Sequence, residues 1–257
     1  MNKAHILEDV IKLMERLRSA EGCPWDREQS HISLKRNLLE ECYEFLEAVD
    51  LDDPKRMREE LGDLLMQVIF HAQIAKEADR FTIEDVARSI IDKLVKRHPH
   101  VFSDAVASST EDVRVNWDLI KEKERGQASI LEGVPKDMPA LLRSQLIQDR
   151  VSRVGFDWEN ANGVLHKVAE EIGEIENARS HQEREHEIGD LLFSLVNLAR
   201  WMGIQAEQSL SYASSRFTRR FLYMENTCWE RGVSFRNLPL KEKEELWLQA
   251  KEFEVIS

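Results

Sequence analysis

Cysteine is nearly absent. Three occur in 257 residues, Cys23, Cys42 and Cys228, far apart and with no C-x-x-C pair. That excludes a disulfide framework or a zinc knuckle as the organising device. No apolar run approaches the ~20 residues that a membrane-spanning helix needs. The opening "MNKAHILEDVIKLMERL" is charged throughout, unlike a signal peptide. The expectation is a soluble protein of the cytoplasm. A basic surplus is also missing: 36 Lys and Arg stand against 48 Asp and Glu, a net charge of −12. This argues against direct binding to a nucleic-acid backbone. It leaves room for an anionic small molecule whose charge a metal or local cations offset. Glycine is scarce, at 10 residues. No segment alternates convincingly as a strand, although "VFSDAV" (101–106) is ambiguous.

What the chain does have is helical period along almost its whole length. Ile6, Leu7, Val10, Leu13, Met14 and Leu17 line a first helix that "GCPWD" stops, and Leu34, Leu38, Cys42, Phe45 and Val49 line a second. "LDDP" predicts a turn, with Asp53 as N-cap and Pro54 opening a third helix that runs to about Ala78. Thr82 caps a fourth, ended by Pro99, and Thr110 opens a fifth. Residues 126–139, "GQASILEGVPKDMP", hold two glycines and two prolines and read as a linker. Helical period resumes over about 140–153, 161–179, 183–202, 205–230 and 240–254. The predicted fold is all-α, with two tandem helical bundles, 1–125 and 140–257, joined by that linker.

The two halves share landmarks in the same order. Trp25-Asp26 precedes the first acidic helix, and "GFDW" (155–158) the second. "LLEECYE" (38–44) matches "VAEEIGE" (168–174), "ELGDLL" (60–65) matches "EIGDLL" (187–192), and "KLVKR" (93–97) matches "RFTRR" (216–220). The spacing is near 127 residues, an internal duplication rather than a solenoid repeat.

Each half carries an acidic constellation. With about 100° of turn per residue, Glu170, Glu171 and Glu174 share one helix face. Glu187 and Asp190 share a face of the next helix, and Ser180-x-x-Glu183 offers a capping box between the two. A short helical hairpin brings the five carboxylates together, and Glu40, Glu41, Glu44, Glu60 and Asp63 repeat the pattern. Such clusters repel and take up protons unless a positive charge sits among them. Without a paired Lys or Arg on these faces, the all-oxygen set points to a hard ion, Mg²⁺ or Mn²⁺, and so to a phosphate ester as substrate. The plainer alternative is a solvated acidic face. Against it stands the Glu-x-Gly-Asp placement before an apolar run, because a solvated face should not lead into a buried one. Gly62 and Gly189 make sense if the backbone there approaches a partner helix or ligand closely.

Cations and aromatics complete the list of candidates. Arg216 and Arg220 lie one turn apart and suit a triphosphate, and Lys167 lies one turn before Glu171. A surface cation near a helix end is the competing reading for each. Trp247 suits stacking on a base, or core packing. His98 and His100 lack helical metal-ligand spacing and read as structural.

Glu-Glu-x-x-Glu, a connection, then Glu-x-x-Asp resembles the signature of the all-α nucleoside triphosphate pyrophosphohydrolases. With "GCPWD", "ELGDLL", "RHPHVF" and "VGFDW" in place, essentially the whole chain is similar to the tandem MazG family. The resemblance implies Mg²⁺-dependent hydrolysis of a nucleoside triphosphate (NTP) between its α and β phosphates, releasing the monophosphate (NMP) and pyrophosphate. It implies Glu171, Glu174, Glu187 and Asp190 as metal ligands, with Glu170 as a further ligand or the group orienting water. Lys167, Arg216, Arg220 and Trp247 fall where the family contacts nucleotide. Arg216 stands where a lysine is expected, and the stretch before Glu187 has Glu183 and Arg184 where a basic residue is expected. A homodimer or higher homo-oligomer is also implied. The first half keeps its acids, with Glu41, Glu44, Glu60 and Asp63 as a second metal set, plus Lys93 and Arg97. The second half is favoured as the main site because Asn197 replaces Phe70 two turns beyond the aspartate. Three other readings stay open: a narrow dUTP, dCTP or phosphoribosyl-ATP pyrophosphatase; a nonenzymatic nucleotide-binding regulator, including a toxin–antitoxin partner; and a di-iron bundle. The last would need Glu-x-x-His pairs, which Glu60 and Glu187 do not begin.

Overall fold

Asp53 opens its helix as the sequence predicts: its side chain accepts hydrogen bonds from the backbone N–H groups of Lys55 and Arg56. Thr82 and Asp85 form a full capping box. Ser180 accepts from Glu183 N–H, but Glu183 reaches back to Arg179 N–H rather than to Ser180, so the expected reciprocal box is shifted by one residue.

A computed structural model of the chain describes residues 6–103, 107–126 and 128–256. Among them all regular structure is helical. The order is α1 (Ile6–Arg18), α2 (Pro24–Glu28), α3 (Lys35–Asp50), α4 (Pro54–Glu77), α5 (Ile83–Arg97) and α6 (Pro99–Phe102). Then come α7 (Thr110–Arg125), α8 (Ala140–Ser152), α9 (Ala161–Asn177), α10 (His181–Trp201), α11 (Ala206–Glu230) and α12 (Leu240–Ile256), with a 3₁₀ turn at Phe235–Asn237. The start of "VFSDAV" belongs to the single-turn α6, while residues 104–106 lie outside the described residues, as does residue 127 of the predicted linker. No helix among the described residues is long and apolar enough to cross a membrane.

The chain divides into two compact units, up to Glu124 and from Arg125 onward. The first is built on the α3–α4 hairpin, with α1 and α5 packed against α4. Three connecting residues, 51–53, force the two helices to run antiparallel as neighbours. Its core joins Met14, Leu34, Ile69 and Phe70. The second repeats this plan: residues 178–180 connect α9 to α10, α8 packs on α10, and α11 packs on α8 and α10. It adds a satellite core where α11 meets α12, around Met224, Cys228, Leu246 and Ala250. The turns at 129–134 are tied to this second unit, because Arg150 Nη1 donates to the Ile130 and Glu132 carbonyls at 3.0 and 2.7 Å.

Candidate metal and nucleotide site

The α9–α10 hairpin concentrates the acids as its spacing requires. One oxygen each from Glu171, Glu174 and Glu187 lie within 4.8 Å of one another, and Glu187 and Asp190 form an adjoining group with His186 on the same criterion. Glu171 is only 2% exposed. Its Oε1 accepts from Lys167 Nζ at 2.7 Å, while its Oε2 is buried without a hydrogen-bond partner. A buried carboxylate oxygen left bare is costly, and a cation supplies the missing interaction. The donor set therefore fits a hard divalent ion.

One expectation is corrected here. The acidic face is not free of cations: Lys167 also donates to Glu170 Oε1 at 2.7 Å, because residues three and four apart share a helix face. Glu170, then Glu171, hold the lysine ammonium well above its ordinary range. A ring nitrogen also lies beside the set. His186, exposed, brings Nδ1 to 3.1 Å from Asp190 Oδ2. Its place one turn before Asp190 was a signal the sequence already carried. Glu174 is pushed above the usual carboxylate range, first by lost hydration and then by repulsion from Glu171, Glu187 and Glu170, with Lys167 opposing.

Gly189 and Gly62 do not mark a close approach within the chain. A Cβ at either would meet nothing within 4 Å. The runs that follow are also only partly buried. Leu192, Phe193 and Leu195 in α10, and Leu65 and Val68 in α4, stay well exposed beside buried Val196, Ile69 and Phe70.

In the first unit Glu41, Glu60 and Asp63 each bring an oxygen within 4.8 Å of the others, with Glu44 exposed nearby on α3. Glu41 is raised by partial burial and then by Asp63, Glu44, Glu60 and Glu40. Glu60 is raised by lost hydration and then by Glu44 and Asp63. Position 37, which matches Lys167, is Asn37. Arg36 pairs instead with the outlying Glu40 at 2.9 Å, and Arg97 is tied to Glu124 at 2.7 Å.

A cavity of about 530 Å³ opens beside the second cluster, and Lys167 lines it. Its walls come from Ile147, Gln148 and Val151 of α8, the 155–158 turn, Val164 of α9, and Phe193, Ser194, Asn197 and Arg200 of α10. Two glycines shape it. Gly155, at φ +81°, turns the chain into Phe156–Trp158. Gly163 lets the Trp158 ring lie on α9, where a Cβ would come within 2.7 Å of it. Asp157 Oδ1 accepts from Arg200 Nη2 at 2.5 Å and from Trp201 Nε1 at 3.0 Å. Arg200 is largely buried there, and Asp157 is held low because these hydrogen bonds outweigh its burial. Sequence reasoning treated "GFDW" as a landmark only and missed Gln148, Trp158 and Arg200, because side chains from three segments converge only on folding.

The remaining candidates lie elsewhere in the unit. Arg220 stacks over the Trp247 ring, with its guanidinium carbon 5.5 Å from the centroid. Trp247 also packs on Phe217 and on the α11–α12 core. Arg216 is exposed on α11. The fold thus joins Lys167 to the carboxylates, and pairs Arg220 with Trp247 where α12 lies along α11.

Comparison with known proteins places this geometry. Residues 29–102 match the family described as the MazG nucleotide pyrophosphohydrolase domain. The chain is 45% identical to "Nucleoside triphosphate pyrophosphohydrolase/pyrophosphatase MazG" of Thermotoga maritima, over 98% of each chain. It is 43% identical to "Nucleoside triphosphate pyrophosphohydrolase" of Escherichia coli K12, over 97% of this chain and 98% of that one. An uncharacterized protein, YabN of Bacillus subtilis, is 45% identical over 97% of this chain and 52% of its own length. The chain belongs to the MazG family of nucleotide pyrophosphohydrolases.

Proposed function

We propose that the second unit hydrolyses nucleoside triphosphates between the α and β phosphates, giving NMP and pyrophosphate, in control or house-cleaning of the nucleotide pool. The observation that carries this reading is the position of Lys167, which grips the buried Glu171 on one side and lines the 530 Å³ cavity on the other. One residue thereby connects a cation site to a seat large enough for a nucleoside. Glu171, Glu174, Glu187 and Asp190 would hold Mg²⁺, with Mn²⁺ as a substitute. When bound, the metal would neutralise phosphate charge and make coordinated water more acidic. Lys167 meets the incoming phosphates as a charge-assisted donor. Glu170, more than half exposed and released as Lys167 turns to the substrate, takes the proton of the attacking water on a carboxylate oxygen. Arg216, Arg220 and Trp247 remain candidates for nucleotide contact, from α11 and α12.

The half-exposed Leu39, Leu46, Leu61, Ile172, Leu192 and Leu195 on the two hairpins support association into a homodimer or higher homo-oligomer. A monomeric mass by light scattering at micromolar concentration, with full activity, would overturn that. The chemistry is tested with an NTP panel at saturating Mg²⁺, detecting NMP, pyrophosphate and orthophosphate separately. Pyrophosphate with NMP, lost on adding EDTA, is expected. Orthophosphate with NDP as first products would reject cleavage between the α and β phosphates.

A further inference from the structure

Two glutamines on α8 are both buried, Gln145 at 5% and Gln148 at 4% exposure, yet they are used differently. Gln145 is satisfied at both ends of its amide. Its Nε2 donates to the Ile204 carbonyl at 3.0 Å and its Oε1 accepts from Ala206 N–H at 2.9 Å, which ties α8 to the α10–α11 connection. One turn on, Gln148 Nε2 donates to the Phe193 carbonyl at 2.8 Å, while Oε1 is buried with no partner among the described residues. The amide cannot be turned over, because that would set its oxygen against the Phe193 carbonyl, acceptor on acceptor. Gln148 therefore carries a buried, unsatisfied acceptor on a side chain that lines the cavity.

Asn197, on the same cavity, is fixed in the opposite sense. Its Oδ1 accepts from Arg200 Nε at 2.9 Å, and a guanidinium only donates, so the amide nitrogen is left as the donor end. Asp157 holds Arg200 in turn. Between these groups the walls are apolar, with the rings of Phe156, Trp158 and Phe193. A flat ligand carrying an N–H donor beside an acceptor satisfies both amides, and the edge of a nucleobase has that pattern.

We propose that Gln148 is a specificity-determining acceptor that reads an N–H on the base edge, with Asn197 supplying the matching donor. This rests on the nucleotide reading above and deepens it. Adenine and cytosine set an exocyclic amine beside a ring acceptor, whereas guanine and uracil set a carbonyl beside a ring N–H in the reverse order, so the fixed seat favours adenine and cytosine. It rejects a base with no such donor. That gives base choice a defined basis, because a site built around a hydrogen bond discriminates strongly against the analogue that leaves it unpaired.

The test compares ATP with purine riboside triphosphate, which has hydrogen in place of the 6-amino group. The full chain and its Gln148→Met variant are assayed with Mg²⁺ for kcat and KM, and their binding is measured by calorimetry. The wild type is expected to disfavour the analogue by about tenfold to a hundredfold, mainly in KM. Gln148→Met should lose about that factor on ATP and little on the analogue, so that the two changes are strongly non-additive. Equal handling of both nucleotides by the wild type overturns the proposal whether or not the variant folds. So does an equal loss on both, which would make Gln148 a purely structural tie. Binding discrimination without pyrophosphate release would instead overturn the hydrolytic reading and leave the Gln148 assignment standing.

Discussion

The α3–α4 and α9–α10 hairpins carry the same acidic pattern, and each brings three carboxylates within 4.8 Å. They differ at two matched positions. Where α9 has Lys167 inside the cluster, α3 has Asn37. Where α10 has Asn197 beside a 530 Å³ cavity, α4 has Phe70, 3% exposed in a core with Met14, Leu34 and Ile69. Arg18 seals that core from above, its guanidinium 5.4 Å from the Phe70 ring and bound to Glu77 at 2.7 Å. Both copies thus keep the carboxylate cluster, while the cavity beside it is described in the second. The family match at residues 29–102 falls on the first copy, so likeness to the family does not single out the half with the cavity.

The largest expected effect separates the halves directly. Glu171→Gln or Asp190→Asn should lower turnover by about 100-fold or more, since each near-isosteric change removes ligand charge beside the reacting phosphate. Glu41→Gln or Asp63→Asn should leave much of the activity. Turnover at saturating Mg²⁺, with circular dichroism to check the helices, decides between them. Equal losses from both halves would mean two coupled sites and erase the contrast, and loss only from the first-unit changes would reverse it.

A smaller effect is expected from making the second copy resemble the first. Asn197→Phe fills the seat and removes its donor, and should raise KM for ATP by about tenfold while leaving Mg²⁺ affinity near wild type. An unchanged KM would show that the nucleoside does not enter this cavity.

The smallest effect concerns pH and the first copy alone. His71, matched by Leu198 in α10, has Nδ1 2.8 Å from His31 Nδ1. Its burial, then His31, push its pKa below the ordinary 6.5. Below that ordinary value the unfolded chain binds the proton more readily, so this contribution is present at neutral pH and is lost as pH falls through about 6.5 and lower. Glu41 and Glu60 are shifted upward and act in the opposite direction, so the useful quantity is the difference between wild type and His71→Leu. Thermal unfolding from pH 7.5 to 5.5 should show a steeper loss in wild type. Parallel profiles would remove the assignment.

Local chemistry made much of this protein readable in one dimension. Period 3.6 marked the helices, Asp53 and Thr82 marked their starts, and the repeated Glu-Glu-x-x-Glu and Glu-x-x-Asp marked the carboxylate clusters, because each depends on residues within a few positions of one another. Even the Lys167 pairing was implicit, since a lysine one turn before two glutamates has them within reach. What only the tertiary structure decided involves residues brought together from separate segments. Burial of Glu171 with one oxygen unpaired depends on the helix packed against it. The cavity exists because Gln148 of α8, Trp158 of the α8–α9 connection and Asn197 of α10 line space that no side chain fills. The placing of Gln148 and Asn197, 49 positions apart, on one cavity leaves no periodic trace in the chain, and whether such a meeting encloses a solid core, as at Phe70, or an open seat is settled by side-chain volume in three dimensions.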